Sequence, residues 1–108
     1  MSLKHCLIVC NGYVNKKLLK HILESYRKKI KIVSADGAAN SLYKFNITPD
    51  YIIGDLDSIK RKVHKHFTKK KVVIKKIPEQ EHTDFEKCIL FALSKKFNKI
   101  IVLGFAGK

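Results

Sequence analysis

Five short apolar runs punctuate this chain, and segments with helix-like spacing of apolar residues separate them. The runs are Leu7 to Cys10, Ile30 to Ser34, Tyr51 to Gly54, Val72 to Ile77 and Ile100 to Leu103. After the first, Leu18, Leu19, Ile22, Leu23 and Tyr26 recur at helical intervals, with Asn15 placed to cap the N-terminus. Ala39, Leu42 and Tyr43 mark a second, shorter helix, and Ile59, Val63 and Phe67 a third. Thr83 and Glu86 have the spacing of a capping box. The helix they open has Phe85, Cys88, Ile89, Ala92 and Leu93 as its expected buried face. Strands that alternate with helices in this way pair in parallel, because each crossover carries the chain back to the same edge. The predicted fold is an α/β, Rossmann-like open sheet, mostly parallel and five-stranded, with helices on both faces. Residues 1–108 form one domain.

In such sheets ligands bind beyond the carboxyl ends of the strands. The polar signatures of this chain fall there: "NG", "ADGAAN", "GDLDS", "PEQEHTD" and "GFAGK", one after each run. Asp55 and Asp57 are two residues apart, so if the chain stays extended past Gly54 both carboxylates face the same way. Two carboxylates at about 4 Å repel by roughly 4 kcal/mol at an effective dielectric of 20, so a cation is expected between them. Lysine could serve, but hard oxygen ligands beside a phosphate-binding turn suggest Mg²⁺, which takes one or two carboxylates plus substrate phosphates. Asp84 is the natural third acid. A first-turn aspartate can instead complement the helix dipole, and Asp57 can instead cap the following helix. Gly37 permits a tight turn and close backbone approach, and the helix N-terminus after it offers free N–H groups to an anion. Asn11, Asn40 and Gln80 read equally as ligand contacts or loop formers. His82 reads as a loop histidine or a proton carrier, and His5, His21, His64 and His66 as surface.

The formal net charge of +14 raises the possibility of a nucleic-acid partner. Only Arg27 and Arg61 carry the guanidinium fork used in base and phosphate recognition, however, and the lysines are spread over several elements. Nucleic acid is therefore not the expected partner, and a non-catalytic basic module is kept as an alternative. No apolar run is long enough to cross a bilayer, and no charged-then-apolar leader opens the chain. Both observations predict a cytoplasmic protein that does not contact a membrane. Cys6 and Cys10 lie about 13 Å apart in an extended strand, too far for a disulfide, and with Cys88 they read as small buried hydrophobes.

Taken together, "ADGAANSLY", "PDYIIGDLDSI" and "PEQEHTDFEKC", in this order, resemble the thiamine pyrophosphokinase family, and the likeness extends from "LKHCLIVCNG" to "VLGFAGK". The resemblance implies transfer of pyrophosphate from ATP to thiamine, giving thiamine diphosphate and AMP, with Mg²⁺ required. It implies Asp55, Asp57 and Asp84 around the metal, and Lys87 against phosphate charge. It places Asp36, Gly37, Asn40, Ser58 and Thr83 by the nucleotide and Gln80 toward thiamine. A related pterin-alcohol pyrophosphokinase would use the same metal logic. The chain departs from the family at Ala38, where Gly is usual, at Leu56, where Phe is usual, and at Glu79 and Glu81, where Asp is usual. Family members are homodimers with a C-terminal β-sandwich domain that helps bind thiamine. The resemblance therefore implies that this chain holds the ATP and Mg²⁺ half of the site and lacks the sandwich.

Overall fold

The computed structural model describes residues 4–27 and 29–105. Lys28 and the last three residues of "GFAGK" lie outside that range, as does Leu3 of the opening motif. Five strands, β1 (His5–Val9), β2 (Ile30–Ala35), β3 (Tyr51–Gly54), β4 (Val73–Lys76) and β5 (Lys99–Leu103), form one sheet. Their spatial order is β4-β3-β2-β1-β5, and every pairing is parallel. Four helices connect them: α1 (Lys16–Ser25), α2 (Ala38–Lys44), α3 (Arg61–Lys69) and α4 (Asp84–Ser94). The predicted α/β sheet is the observed one.

Topology decides where the helices go. From β1 to β4 the chain steps steadily toward one edge, then jumps back past β1 to place β5 at the other. Right-handed crossovers put α1, α2 and α3 on one face and α4 on the other. Two apolar clusters follow. Ile52 of β3 joins Ala39, Val63 and Phe67 of α2 and α3. Ile53, its neighbour in sequence, joins the larger cluster with Cys88, Phe91 and Ala92 of α4. Alternate residues of a strand point to opposite faces, so β3 is clamped from both sides.

Caps set the helix starts. The Asn15 side chain accepts the Leu18 N–H at 3.0 Å. At α4 the Thr83 hydroxyl accepts the Glu86 N–H at 3.1 Å, while the Glu86 carboxylate accepts the Thr83 N–H at 2.8 Å, so the capping box closes. The ends of α2, α3 and α4 share another device. Asn46, Lys71 and Lys96 are left-handed, with φ of 61°, 64° and 64°. At each, two backbone bonds fold back in the pattern of a Schellman motif, as Ile47 N to Leu42 O at 2.9 Å and Asn46 N to Tyr43 O at 3.1 Å show for α2.

One expectation needs correction. Leu93 was expected on the buried face of α4, yet it is 55% exposed and Phe91 is buried instead. Phe91 lies edge-on to Tyr51 of β3, with ring centroids 4.9 Å apart. Lys87, a charged residue, is only 4% exposed. All three cysteines are free and buried, and burial pushes the thiols of Cys6 and Cys10 up to about 12 and about 11. They serve as small apolar residues. No helix among the described residues is long and apolar enough to cross a membrane.

Candidate active site

The strand carboxyl ends bring together Asn11 after β1, Asp36 and Gly37 after β2, Asp55 after β3, Ile77 after β4 and Asp84 at the start of α4. Asp36 lies deepest. Its side chain is fully buried, and neither carboxylate oxygen has a hydrogen-bond partner of acceptable geometry. Burial raises its pKa above the usual carboxylate range. The neighbouring Asp55 side chain and the charge of Asp84 push the same way, and the nearby Gly37 and Ser58 N–H groups oppose them. Asp55 shifts down instead, first because its carboxylate receives the Asp57 N–H and next because Asp36 stands beside it. Asp36 and Asp55 therefore form an unequal pair, the inner acid favouring its proton and the outer one its charge.

Two glycines make room at this edge, one for Asp36 and one for Asn11. A Cβ on Gly54 would stand 3.1 Å from the Asp36 carboxyl carbon, and its φ of +148° is one that side chains rarely adopt. Gly37 has an ordinary helical φ of −70°. Its constraint is space, since a Cβ there would meet the Asn11 side-chain oxygen at 2.8 Å. The other end of that amide donates to Asp84 Oδ2 at 2.8 Å. Gly37 thus lets Asn11 reach across and hold Asp84. This is a close approach, as expected, but it is made by a side chain. With only seven residues, α2 is a short helix, and Gly37 at its N-cap makes no side-chain cap bond.

The backbone does not stay extended past Gly54. Leu56 is left-handed, with φ of 69°, and the Asp57 N–H bonds to Asp55 Oδ1 at 3.0 Å, closing a local turn. The two carboxylates are therefore not aligned as they would be on an extended strand, and Asp57 and Ser58 are exposed. Asp57 is not a helix cap either, because Lys60 holds that position for α3. Asn40 fixes the loop instead: its amide donates to Ser58 O at 2.9 Å and accepts from Lys60 N at 2.9 Å. Both polar ends of Asn40 are spent on backbone, so it acts here as a strut.

Between β4 and α4, Glu79 organises the connection. Its carboxylate accepts the N–H groups of Glu81 and His82, at 2.7 and 3.1 Å, and pairs with His82 Nδ1 at 2.8 Å. That contact lowers the pKa of Glu79 and raises that of His82. Gln80 is exposed and donates to Pro78 O at 3.1 Å. Thr83 is occupied by its capping box. Lys87 sends Nζ to Ile77 O at 2.9 Å, with its charge near enough to favour ionised Asp55.

Among the described residues no three His, Cys, Asp or Glu side chains converge as a set that could hold a metal ion. Asp55 and Asp84 stand near enough to Asp36 for their charges to be felt there, and the turn at Leu56 leaves Asp57 exposed and apart. Sequence reasoning placed Asp36 near the site without foreseeing that it would be the buried acid. It left Asn11 undecided, and a glycine beside an amide is too common a pairing to have flagged the Asn11–Asp84 bond.

Comparison with known proteins gives a consistent result. The family described as "Thiamin pyrophosphokinase, catalytic domain" matches residues 22–108. A thiamine pyrophosphokinase of Saccharomyces cerevisiae is 48% identical over 66 residues, which cover 53% of this chain and 21% of that protein. Thiamin pyrophosphokinase 1 of Caenorhabditis elegans is 36% identical over 81 residues, 67% of this chain and 32% of that one. The chain therefore aligns with a third or less of these relatives' length. The crystal structure of yeast thiamin pyrophosphokinase superposes with a TM-score of 0.72 at 36% identity, covering 86% of this chain and 32% of that one. The structure from Bacillus subtilis gives 0.74 over 97% of this chain and 49% of that one, at 23% identity, and so speaks for the fold alone.

Proposed function

This chain belongs to the thiamin pyrophosphokinase catalytic-domain family, and on that premise we propose that it supplies the ATP- and Mg²⁺-binding part of a thiamine diphosphokinase. In the reaction the thiamine hydroxyl attacks the β-phosphorus of ATP. A new O–P bond forms, the bond from that phosphorus to the α,β-bridging oxygen breaks, AMP departs, and the hydroxyl proton passes to a carboxylate. The observation that carries the reading is Asp36, a fully buried carboxylate with two unpartnered oxygens beside Asp55 at the carboxyl edge. A buried acid left unsatisfied is costly, and clustering with a second acid compounds the cost unless a cation joins them.

The donor set suits Mg²⁺, which needs only one or two carboxylates when phosphates and waters complete its shell. Asp55 and Asp84 would hold it, with Asp36 backing them from inside and Asp57 reaching in only after the turn rearranges. Bound there, the ion would clamp the polyphosphate and stabilise charge developing on the leaving group. The chain's own residues do the positioning. Asn11 holds Asp84, and Asn40 steadies the loop carrying Ser58 near the nucleotide. Lys87, tied to the end of β4, adds positive potential from beneath. Gln80 stands on an exposed loop, open toward an acceptor. Asp36, Gly37 and Thr83 act by shaping the floor and aiming α4. Catalysis of this kind rests on alignment and electrostatics.

The proposal extends to a cytoplasmic enzyme that works as a homodimer, with a β-sandwich domain completing the thiamine pocket. Calorimetry with ATP in Mg²⁺ and then in EDTA tests the nucleotide half. Binding should require the metal and be lost in Asp55→Asn with the circular dichroism spectrum unchanged. Equal binding by Asp55→Asn and parent would remove the metal assignment.

A further inference from the structure

The basic residues of α3 and of the turns that flank it lie beside α2 on one face of the sheet. From Ile59 to Val72 the chain carries seven Lys and Arg residues and no carboxylate, and α2 carries none either. Only two ion pairs exist among the described residues, Lys31–Asp50 and His82–Glu79, and neither involves α2 or α3. These cations are exposed and lack acidic partners. Arg61, Lys65 and Lys69 follow one another at four-residue steps, about 6 Å apart along the outer face of α3.

Between α2 and α3 lies a groove with an aromatic floor. The Tyr43 ring packs edge-on to His66, with centroids 5.0 Å apart, and Lys62 Nζ lies 5.8 Å from its centre. Tyr43 separates two open hollows. One, of about 140 Å³, is flanked by Lys44, Lys60 and Lys62. The other, of about 270 Å³, is flanked by Asn46, Thr48 and Lys70. A half-exposed ring between two recesses, edged by unpaired ammonium groups, combines a stacking platform with a track for phosphates.

We propose that the α2–α3 groove binds single-stranded polynucleotide without sequence preference, a property independent of the catalytic reading above. A membrane surface fits less well, because the apolar residues of α3, Val63 and Phe67, are buried and leave nothing to insert. A duplex fits less well because stacking on Tyr43 needs unpaired bases. The near absence of arginine removes the bidentate base readout that would confer sequence specificity.

The test is fluorescence anisotropy of the whole chain with a labelled oligouridylate of about 20 nucleotides, from about 50 to 200 mM salt. The affinity should fall steeply with salt. Lys62→Glu with Lys70→Glu should weaken it about 10-fold or more, and Lys16→Glu with Lys17→Glu, an equal charge change on α1, by no more than about 2-fold. Tyr43→Leu should cost about 5-fold for the oligouridylate and leave heparin binding unchanged. Equal losses from the two double variants would overturn the proposal, reducing the effect to net charge. Tighter binding to an RNA duplex of the same length, or to vesicles containing phosphatidylserine, would overturn it as well.

Discussion

In the proposed site Asp36 lies deepest, and burial and acidic neighbours both favour its proton. Its folded-state pKa lies above the unfolded value, so the folded chain binds the proton more tightly. The associated stability is present at low pH and is lost as pH rises from the ordinary aspartate value of 3.8 through the raised one. Asp36→Asn removes that dependence. Urea unfolding should find the variant about 1–3 kcal/mol more stable than the parent at neutral pH, with the gap closing below about pH 4. The same variant should bind Mg-ATP less well, a trade of stability against function common at active sites. Gly54→Ala should act in the opposite sense. It places a methyl against the Asp36 carboxyl at an unfavourable φ, so a loss of about 1–3 kcal/mol is expected in thermal or urea unfolding. The sequence showed that "ADGAAN" and "GDLDS" stand at strand ends. It could not show that the first aspartate folds inward or that the chain turns at Leu56, since leucine carries no signal for a left-handed backbone.

At the scale of elements, starts were easier to read than stops. Asn15 and the Thr83–Glu86 box have side chains whose chemistry announces a cap, and both caps form. The stops lacked such marks because lysine, not glycine, takes the left-handed position after α3 and α4. That is why β4 begins at Val73 and not at Val72, whose N–H is used in closing α3 through a 3.1 Å bond to Phe67 O. Amphipathic spacing likewise misassigned Leu93, because α4 turns Phe91 toward Tyr51 and leaves the later leucine outside. Thr83→Ala should cost about 1 kcal/mol of stability by opening the capping box. Since Asp84 is the next residue, calorimetry should also show weaker Mg-ATP binding, whereas Ser at this position should restore both.

For the whole molecule, parallel pairing follows from the alternation of strands and helices, which is why the fold class could be read. Strand order at the two rims could not be read from alternation, and the rims differ. Lys75 and Lys76 are exposed on β4, a common safeguard for an edge strand. On β5 only Lys99 is charged, and Ile100 through Leu103 are half-buried. Exposed apolar Phe105 lies beyond, edge-on to Phe85 at 4.8 Å. At low ionic strength the net charge of +14 should keep copies of this chain apart. Screening at about 1 M salt, where the Debye length falls to about 3 Å, should let the β5 rims meet, and sedimentation velocity should then detect a faster species. Because, among the described residues, each copy has one lightly charged rim and one rim guarded by lysines, such joining uses up the available edge at the first encounter. Growth is self-terminating: the series ends at two, and a fibre cannot be built from a unit with a single adhesive end.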